Sequence, residues 1–409
     1  MVEGRKILGD PAAIKQQFPI FSEYPELVYL DNAATTQRPQ QVINRINNFH
    51  QQENATIRRG VYQLSARATQ EFEAARSTVA NFFKAPQDDC IAFTQGATES
   101  VNIVARSIIK EKLKPGDNIV VSLMEHHANF VPWQMLSQAT STELRVVPIT
   151  ESGDLDLDKL NSLIDSRTAV VAIVHISNTL GTINPIKVIT QMAHAKEVPI
   201  LIDAAQSATL YPINLTELDC DFLVCSAHKM FGPFGVGVLY VHPRYHRQVQ
   251  PYNYGGGIIR SVKVEGTEFL PYPHLLEAGT PNVAGVIGLA EAIRVIKKFD
   301  RESLVKQLHK LTQIARQKLA DIEGLSLVGN PTLSSSIISF SLAGMHPHDV
   351  ASFLNEDHIA VRAGQHCTQP LLDYLGWPAT VRVSLSIYNN LQDVDRLADS
   401  LREMKDFLI

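Results

Sequence analysis

A chain of 409 residues exceeds what one hydrophobic core usually serves, so two domains are expected. With 45% hydrophobic residues, 22 Gly and 21 Pro it is an ordinary globular composition, and a formal net charge of -5 gives no reason to expect nucleic acid or an anionic membrane as partner. Four cysteines without regular spacing make no disulfide framework and fit a reducing compartment.

The opening "MVEGRKILGDPAAIKQQF" has no apolar signal core, and no run reaches the length of a membrane span. The expectation is a cytoplasmic protein that uses no membrane. From about residue 88 short apolar runs, "CIAF", "NIVVS", "LRVVPI", "AVVAIVHIS", "PILIDAA" and "DFLVC", alternate with segments of helical period such as 97–111 and 185–196. Continuous Val/Ile-rich runs read as strands buried on both faces, and their alternation with helices reads as an α/β sheet, mostly parallel. The rhythm stops near "GVGVLYV" (235–241). Residues 251–282, rich in Gly and Pro, read as a long functional loop. Helical patterns follow at 283–299 and 302–322. A smaller mixed unit comes next, with strands near 325–329, in "SSSIISFSL" and in "TVRVSLS", and helices from 347 and 391. These boundaries predict a large domain over 25–290 and a small α+β domain over 291–409, with residues 1–24 packing on the small one.

Four stretches carry chemistry. In "TQGATES" (94–100) Ala97 and Thr98 open a helix after a strand, where free N–H groups and the helix dipole bind phosphate; many helices begin this way for no such reason. In "MEHHANFVPWQ" (124–134) the paired histidines raise the question of zinc, but no third ligand stands at suitable spacing, and no metal is expected. An imidazole stacked on an aromatic cofactor fits better. In "PILIDAAQS" (199–207) Asp203 ends a buried strand, where it either caps the following helix or holds a pyridinium nitrogen protonated, as pyridoxal phosphate requires. In "CSAHKMFGPFGVG" (225–237) Lys229 is either a solvated loop lysine or a desolvated amine able to form a Schiff base, with Ser226 and His228 beside it to bind an anion.

Together with "YLDNAATTQRP" (29–39), "HISNTLGTINP", "EAGTPN" and "RAGQHC", these stretches resemble the fold-type I pyridoxal phosphate enzymes of the class V aminotransferase family, specifically the Suf-type (group II) cysteine desulfurases and selenocysteine lyases. The resemblance covers nearly the whole chain. It implies that Lys229 binds pyridoxal 5'-phosphate covalently, that Asp203 faces the ring nitrogen, that His126 stacks on the ring and that Gln206 reaches its phenolate oxygen. Ala97, Thr98, Ser226 and His228 would hold the phosphate, joined by Thr280 from a second subunit of a homodimer. Asn178 and Arg382 would grip the substrate carboxylate.

In "VRAGQHCTQP" (361–370) Cys367 stands on a polar turn, whereas Cys90, Cys220 and Cys225 sit in or beside apolar strands and read as core. By the resemblance Cys367 is the sulfur acceptor that takes sulfur from L-cysteine as a persulfide, leaving L-alanine. L-selenocysteine is a second implied substrate. The short segment from Arg362 to Pro370 implies a separate SufE- or SufU-like protein that collects the sulfur for iron-sulfur cluster assembly. The chain departs from the family pattern at Arg58, Tyr62, Phe234 and Gln365. The same scaffold also carries aminotransferases, epimerases and kynureninase-like hydrolases, which have no need of Cys367.

Overall fold

The apolar runs become strands of one seven-stranded sheet in the computed structural model, which describes residues 10–406. From edge to edge its strands are Ile91–Thr94, Gly237–Val241, Phe222–Ser226, Ile200–Asp203, Thr168–Val174, Asn118–Ser122 and Glu143–Val147. Gly237–Val241 runs antiparallel to both neighbours and the other pairings are parallel. Every residue of Asn118–Ser122, Ile200–Asp203 and Phe222–Ser226 is buried. That explains runs without alternation: layers on both faces exclude water, and each buried Val, Leu or Ile contributes about 1.5–3 kcal/mol.

Helix Val283–Lys298 packs on helices Gln40–Asn48 and Gln63–Phe83. It starts at Asn282, whose side chain accepts from Gly285 N–H at 2.9 Å, and it buries twelve of its sixteen residues. The two helices before residue 88 had no place in the sequence reading. Gln63–Phe83 announces itself only through a core stripe of Ala68, Phe72, Ala75, Val79 and Phe83, and no side chain caps its start. The helical pattern at 97–111 holds, as an α-helix over Ala97–Val104, a wider π turn over Ala105–Ile109 and a short 3-10 turn.

The expected loop at 251–282 contains a β-hairpin, Ile259–Lys263 paired with Gly266–Phe269. Both strands are almost wholly exposed, so no buried face imposes the alternation by which a strand is read.

A second sheet, antiparallel throughout, orders Leu325–Leu327, Ile337–Leu342, Thr380–Ser384 and Arg362–Gly364. Helices Arg301–Ala320, Pro347–Glu356 and Leu391–Asp406 accompany it. Residues near the N-terminus attach here: Phe18 and Phe21 lie 4.8 and 4.9 Å from the Tyr388 ring, and Lys15 pairs with Asp393 at 3.6 Å. Residues 1–9 of the expected N-terminal segment lie outside the described residues. Among the described residues no helix is long and apolar enough to cross a membrane.

Candidate active site

A cleft of about 190 Å³ opens at the C-terminal ends of the parallel strands, where an α/β sheet leaves room for ligands. Ala97, Thr98, His126, Asn178, Asp203, Gln206, Ser226, His228, Lys229, Cys367 and Arg382 all line it. Thr280 does not; it lies exposed on the loop before helix Val283–Lys298.

Strand Ile200–Asp203 delivers Asp203 with 2% of its surface exposed. Its Oδ1 accepts from Ala205 N–H at 2.9 Å; burial raises its carboxyl above the usual range, while Ala205 N–H and the Lys229 ammonium oppose that rise. Lys229 follows strand Phe222–Ser226 in a 3-10 turn, and Thr209 Oγ1 donates to its carbonyl at 2.7 Å. Desolvation lowers the Lys229 ammonium to about 8, Asp203 partly opposes this, and Arg382 and Arg362 add to it. A fraction of the amine is therefore neutral and nucleophilic at physiological pH.

His126 Nδ1 accepts from Ala128 N–H at 3.0 Å, which leaves the ring proton on Nε2. Burial, then the charge of Lys229, brings its pKa down to about 3, so the ring stays neutral. At the start of helix Ala97–Val104, Ala97 N–H donates to Ser226 Oγ at 2.8 Å. The backbone is tight here: a Cβ on Gly237 would stand 2.4 Å from Gly96 Cα, so only glycine admits this approach. His228 Nδ1 is buried and has no protein hydrogen-bond partner. The His228 ring stacks on Phe234 at 5.5 Å and 27°, and the Arg38 guanidinium covers the same Phe234 ring at 4.3 Å. Gln206 reaches the cleft, but its Nε2 donates to Ala33 C=O at 2.8 Å.

The opposite wall comes from the second sheet. Arg382, 2% exposed, donates from Nη2 to Asp31 at 2.9 Å and from Nη1 to the Asn178 carbonyl at 3.1 Å, while its Nε has no partner. Asn178 Nδ2 donates to His366 C=O at 2.7 Å, and its buried Oδ1 is likewise unpartnered. The Cys367 turn is held by hydroxyl contact between Thr179 and Thr368 at 2.6 Å and by His366 Nε2 with Thr380 Oγ1 at 2.8 Å. Cys367 is half-buried, whereas Cys90, Cys220 and Cys225 are buried. Burial pushes the Cys90 thiol up to about 11, and Cys220 and Cys225 higher still, so none of these three supplies a thiolate.

This site offers an amine, a buried carboxylate, a neutral imidazole, a thiol and an arginine. Its unpartnered polar atoms on His228, Asn178 and Arg382 await a polar guest. Residues 28–397 match the aminotransferase class-V family. The chain belongs to that family. It is 43% identical over 400 residues to a probable cysteine desulfurase of Mycolicibacterium paratuberculosis, covering 97% of this chain and 58% of that one. A probable cysteine desulfurase of Vibrio cholerae is 41% identical over 97% of this chain and 98% of its own. The crystal structure of the cysteine desulfurase CsdA from Escherichia coli, in its S-sulfonic acid form, superposes with a TM-score of 0.92 at 36% identity, covering 98% of this chain and all of that one. The class-V aminotransferase family and its cysteine desulfurases depend on pyridoxal 5'-phosphate, and the fold is fold-type I.

Several features escaped the sequence reading. Asp31, which grips Arg382, lies in "YLDNAATTQRP", where no local pattern marks it as the partner of an arginine 351 residues away. The π turn that continues the phosphate-side helix leaves no composition signal. Arg38 and Phe234 come together only in three dimensions.

Proposed function

We propose that this class-V aminotransferase family member is a cysteine desulfurase that moves the sulfur of L-cysteine onto Cys367 and releases L-alanine. The observation that carries this reading is that Cys367, Lys229 and Arg382 face one cleft. An aminotransferase, epimerase or hydrolase on this scaffold has no use for the thiol.

The cofactor, once bound, supplies a carbonyl that condenses with the substrate amine and a ring that withdraws electrons from the substrate Cα. Asp203 would keep the ring nitrogen protonated, and the low polarity that raises its own carboxyl would strengthen that contact. His126 would cover the ring face as a neutral imidazole, and Gln206 would support the phenolate oxygen. Ala97, Thr98, Ser226 and His228 would hold the phosphate, and the buried His228 Nδ1 has no partner inside the protein. Arg382 and Asn178 take the substrate carboxylate. Lys229 would hold the cofactor and, when free, would remove the Cα proton; its amine near 8 suits a base at neutral pH.

Cys367 Sγ, as thiolate, then attacks the substrate Sγ. The S–S bond forms as the Cβ–Sγ bond breaks, and the electron pair remains on Cβ, where a proton converts it to the alanine methyl group. Both sulfurs rise by one oxidation level and carbon is reduced by two electrons, so no external oxidant is needed; a reductant, or an acceptor thiol that takes the outer sulfur, then removes the persulfide.

The proposal extends to the molecule's surroundings. Residues 25–290 form the cofactor unit and 291–409 the smaller unit that brings Cys367 and Arg382. Thr280, exposed and away from its own cleft, completes the phosphate site of a second subunit in a homodimer. L-selenocysteine is also cleaved. A SufE- or SufU-like protein receives the sulfur in the cytoplasm for iron-sulfur cluster assembly, because a turn held by so many hydrogen bonds cannot carry the thiol far. The test is incubation of the holoenzyme with L-cysteine and a reductant, with alanine and sulfide quantified. Equimolar alanine and sulfide, lost in Cys367→Ala, support the reading; pyruvate or a transamination product in place of alanine overturns it.

A further inference from the structure

Of the two histidines in "MEHHAN", only His126 has a role so far. His127 turns to the opposite wall of the cleft. Its backbone N–H donates to the Cys367 carbonyl at 2.7 Å. Its ring Nε2 accepts from Gln369 N–H at 3.2 Å, across 242 residues of sequence. Gln369 opens helix Gln369–Leu375, and its N–H is one of the first-turn donors that a helix cannot satisfy by itself. One residue therefore holds the acceptor turn at the thiol position and again two residues beyond it.

The turn needs holding. His366 and Cys367 are consecutive and both left-handed, with φ of 54° and 58°, a conformation that residues bearing a side chain adopt only when their surroundings impose it. Asn178 and the Thr179–Thr368 contact fix the turn at residues 366 and 368. His127 adds Cys367 and Gln369. Because Nε2 accepts, the ring proton sits on Nδ1, and desolvation keeps the imidazole neutral by holding its pKa below the ordinary range.

We propose that His127 is a positioning residue for the sulfur acceptor: by bridging to Cys367 and Gln369 it keeps the left-handed turn closed and the thiol aimed into the cleft beside Lys229. This rests on the desulfurase reading, in which attack at sulfur requires the two sulfur atoms and Cβ in line. A nucleophile displaced by about 1 Å loses on the order of a hundredfold in rate, so a loosened turn should reach the transition state less often while the substrate still binds.

The test compares holoenzymes of wild type, His127→Phe and His127→Gln. Phenylalanine keeps the ring's bulk and removes the acceptor, whereas glutamine can place an oxygen near the position of Nε2. The freed Gln369 N–H is at an exposed site where water can take it, so both variants should fold. For His127→Phe, kcat for alanine formation should fall roughly tenfold to a hundredfold with KM within about twofold. The cofactor's visible absorption should be unchanged, and the rate of Cys367 alkylation by iodoacetamide should shift several-fold. His127→Gln should recover most of the kcat and the wild-type alkylation rate. Wild-type kcat and alkylation in His127→Phe overturn the inference, as does a glutamine variant no better than phenylalanine or an altered cofactor absorption, which would mean that the residue acts through His126. A wild-type holoenzyme that makes no alanine from cysteine overturns the desulfurase reading instead, and the alkylation rates still decide the clamp.

Discussion

Arg362 and Arg382 stand directly opposite each other on neighbouring antiparallel strands, and both side chains line the cleft. Like charges in that register are unfavourable. Asp31 offsets part of the repulsion through its 2.9 Å contact with Arg382, and the lining residues leave the remaining positive potential facing the cavity. On the proposed reading, both the substrate carboxylate and the Cys367 nucleophile gain from it.

Arg382→Lys should therefore raise KM for L-cysteine by roughly ten- to a hundredfold with a smaller loss in kcat, because a point charge replaces the planar fork that holds both carboxylate oxygens. Steady-state alanine formation over a range of cysteine concentrations measures this. An unchanged KM would assign the carboxylate to another group, with Arg362 the nearest alternative.

Lys229 gives the pH prediction. Its ammonium is lowered to about 8, chiefly by desolvation, so the nucleophilic amine accumulates as pH rises through 8, more than two units before an ordinary lysine. In apoprotein, the rate at which added pyridoxal phosphate becomes attached to Lys229 should climb between about pH 7 and 9 and then level off. Borohydride reduction and peptide mass analysis at each pH measure it. A rate still climbing steeply at pH 10 would show an unperturbed amine.

Glu277 is the stability counterpart. Its side chain is 1% exposed and accepts from Arg76 at 2.8 and 3.0 Å, from Arg58 at 2.6 Å and from Phe93 N–H at 3.1 Å. Burial alone would raise its carboxyl, but His274 and the two arginines overcome that and hold it far below the usual range. The sign follows: stability from this group is complete above the unfolded carboxyl pKa near 4.5 and declines as pH falls below it. Glu277→Ala leaves Arg76 buried without its main counter-charge and should cost about 3–5 kcal/mol at pH 7, read as a lower urea midpoint. The deficit should shrink in acid. A variant that unfolds at the wild-type midpoint would contradict this. Arg58, one of the departures from the family pattern, has its structural account here.

Phe234 is another departure, and it too has a local account. The ring is 64% exposed yet contacts both the Arg38 guanidinium and the His228 ring. Phe234→Thr removes a stack and a cation–π contact worth about 0.5–1 kcal/mol at an exposed site, so cofactor affinity should fall about two- to fivefold with kcat at saturation unchanged. Titration of apoprotein with the cofactor measures this. Unaltered affinity would make the ring a surface residue with no bearing on His228.

The parts legible in the sequence were those where burial imposes a pattern. Runs such as "AVVAIVHIS" and "DFLVC" read as two-face-buried strands because both faces are covered, and Asp203 and Lys229 were found as polar residues where such runs end. The hairpin at 259–269 was illegible because neither face is buried, and helix Gln63–Phe83 because half of its residues are polar or charged and its start is uncapped. The Cys367 turn was found as a polar setting for a thiol. Its rigidity was not, since the groups that hold it, His127, Asn178, Thr179 and Thr380, come from distant stretches and no local spacing records them.

On the proposed reading, the acceptor role of Cys367 would separate two substrates, L-cysteine and L-selenocysteine. Release of sulfur from the cysteine adduct requires a nucleophile, and Cys367 is the one thiol of the four that lines the cleft. A carbon–selenium bond is weaker than a carbon–sulfur bond, so selenium can be lost as the element, leaving the electron pair on Cβ for the alanine methyl group, without being captured by a thiolate. Cys367→Ala removes the nucleophile and leaves Lys229, Asp203 and the phosphate-side groups in place, so the cofactor's absorption should match wild type. Alanine formation from L-cysteine should fall by roughly a hundredfold or more, while formation from L-selenocysteine should stay within about tenfold of wild type. Anaerobic assays at matched cofactor occupancy make the comparison. Equal losses on both substrates would make Cys367 a structural or proton-transferring residue, since a pure acceptor is dispensable where the leaving group departs unaided. Retention of both activities would leave the strained turn and its hydrogen bonds without a catalytic purpose and would move the sulfur acceptor elsewhere.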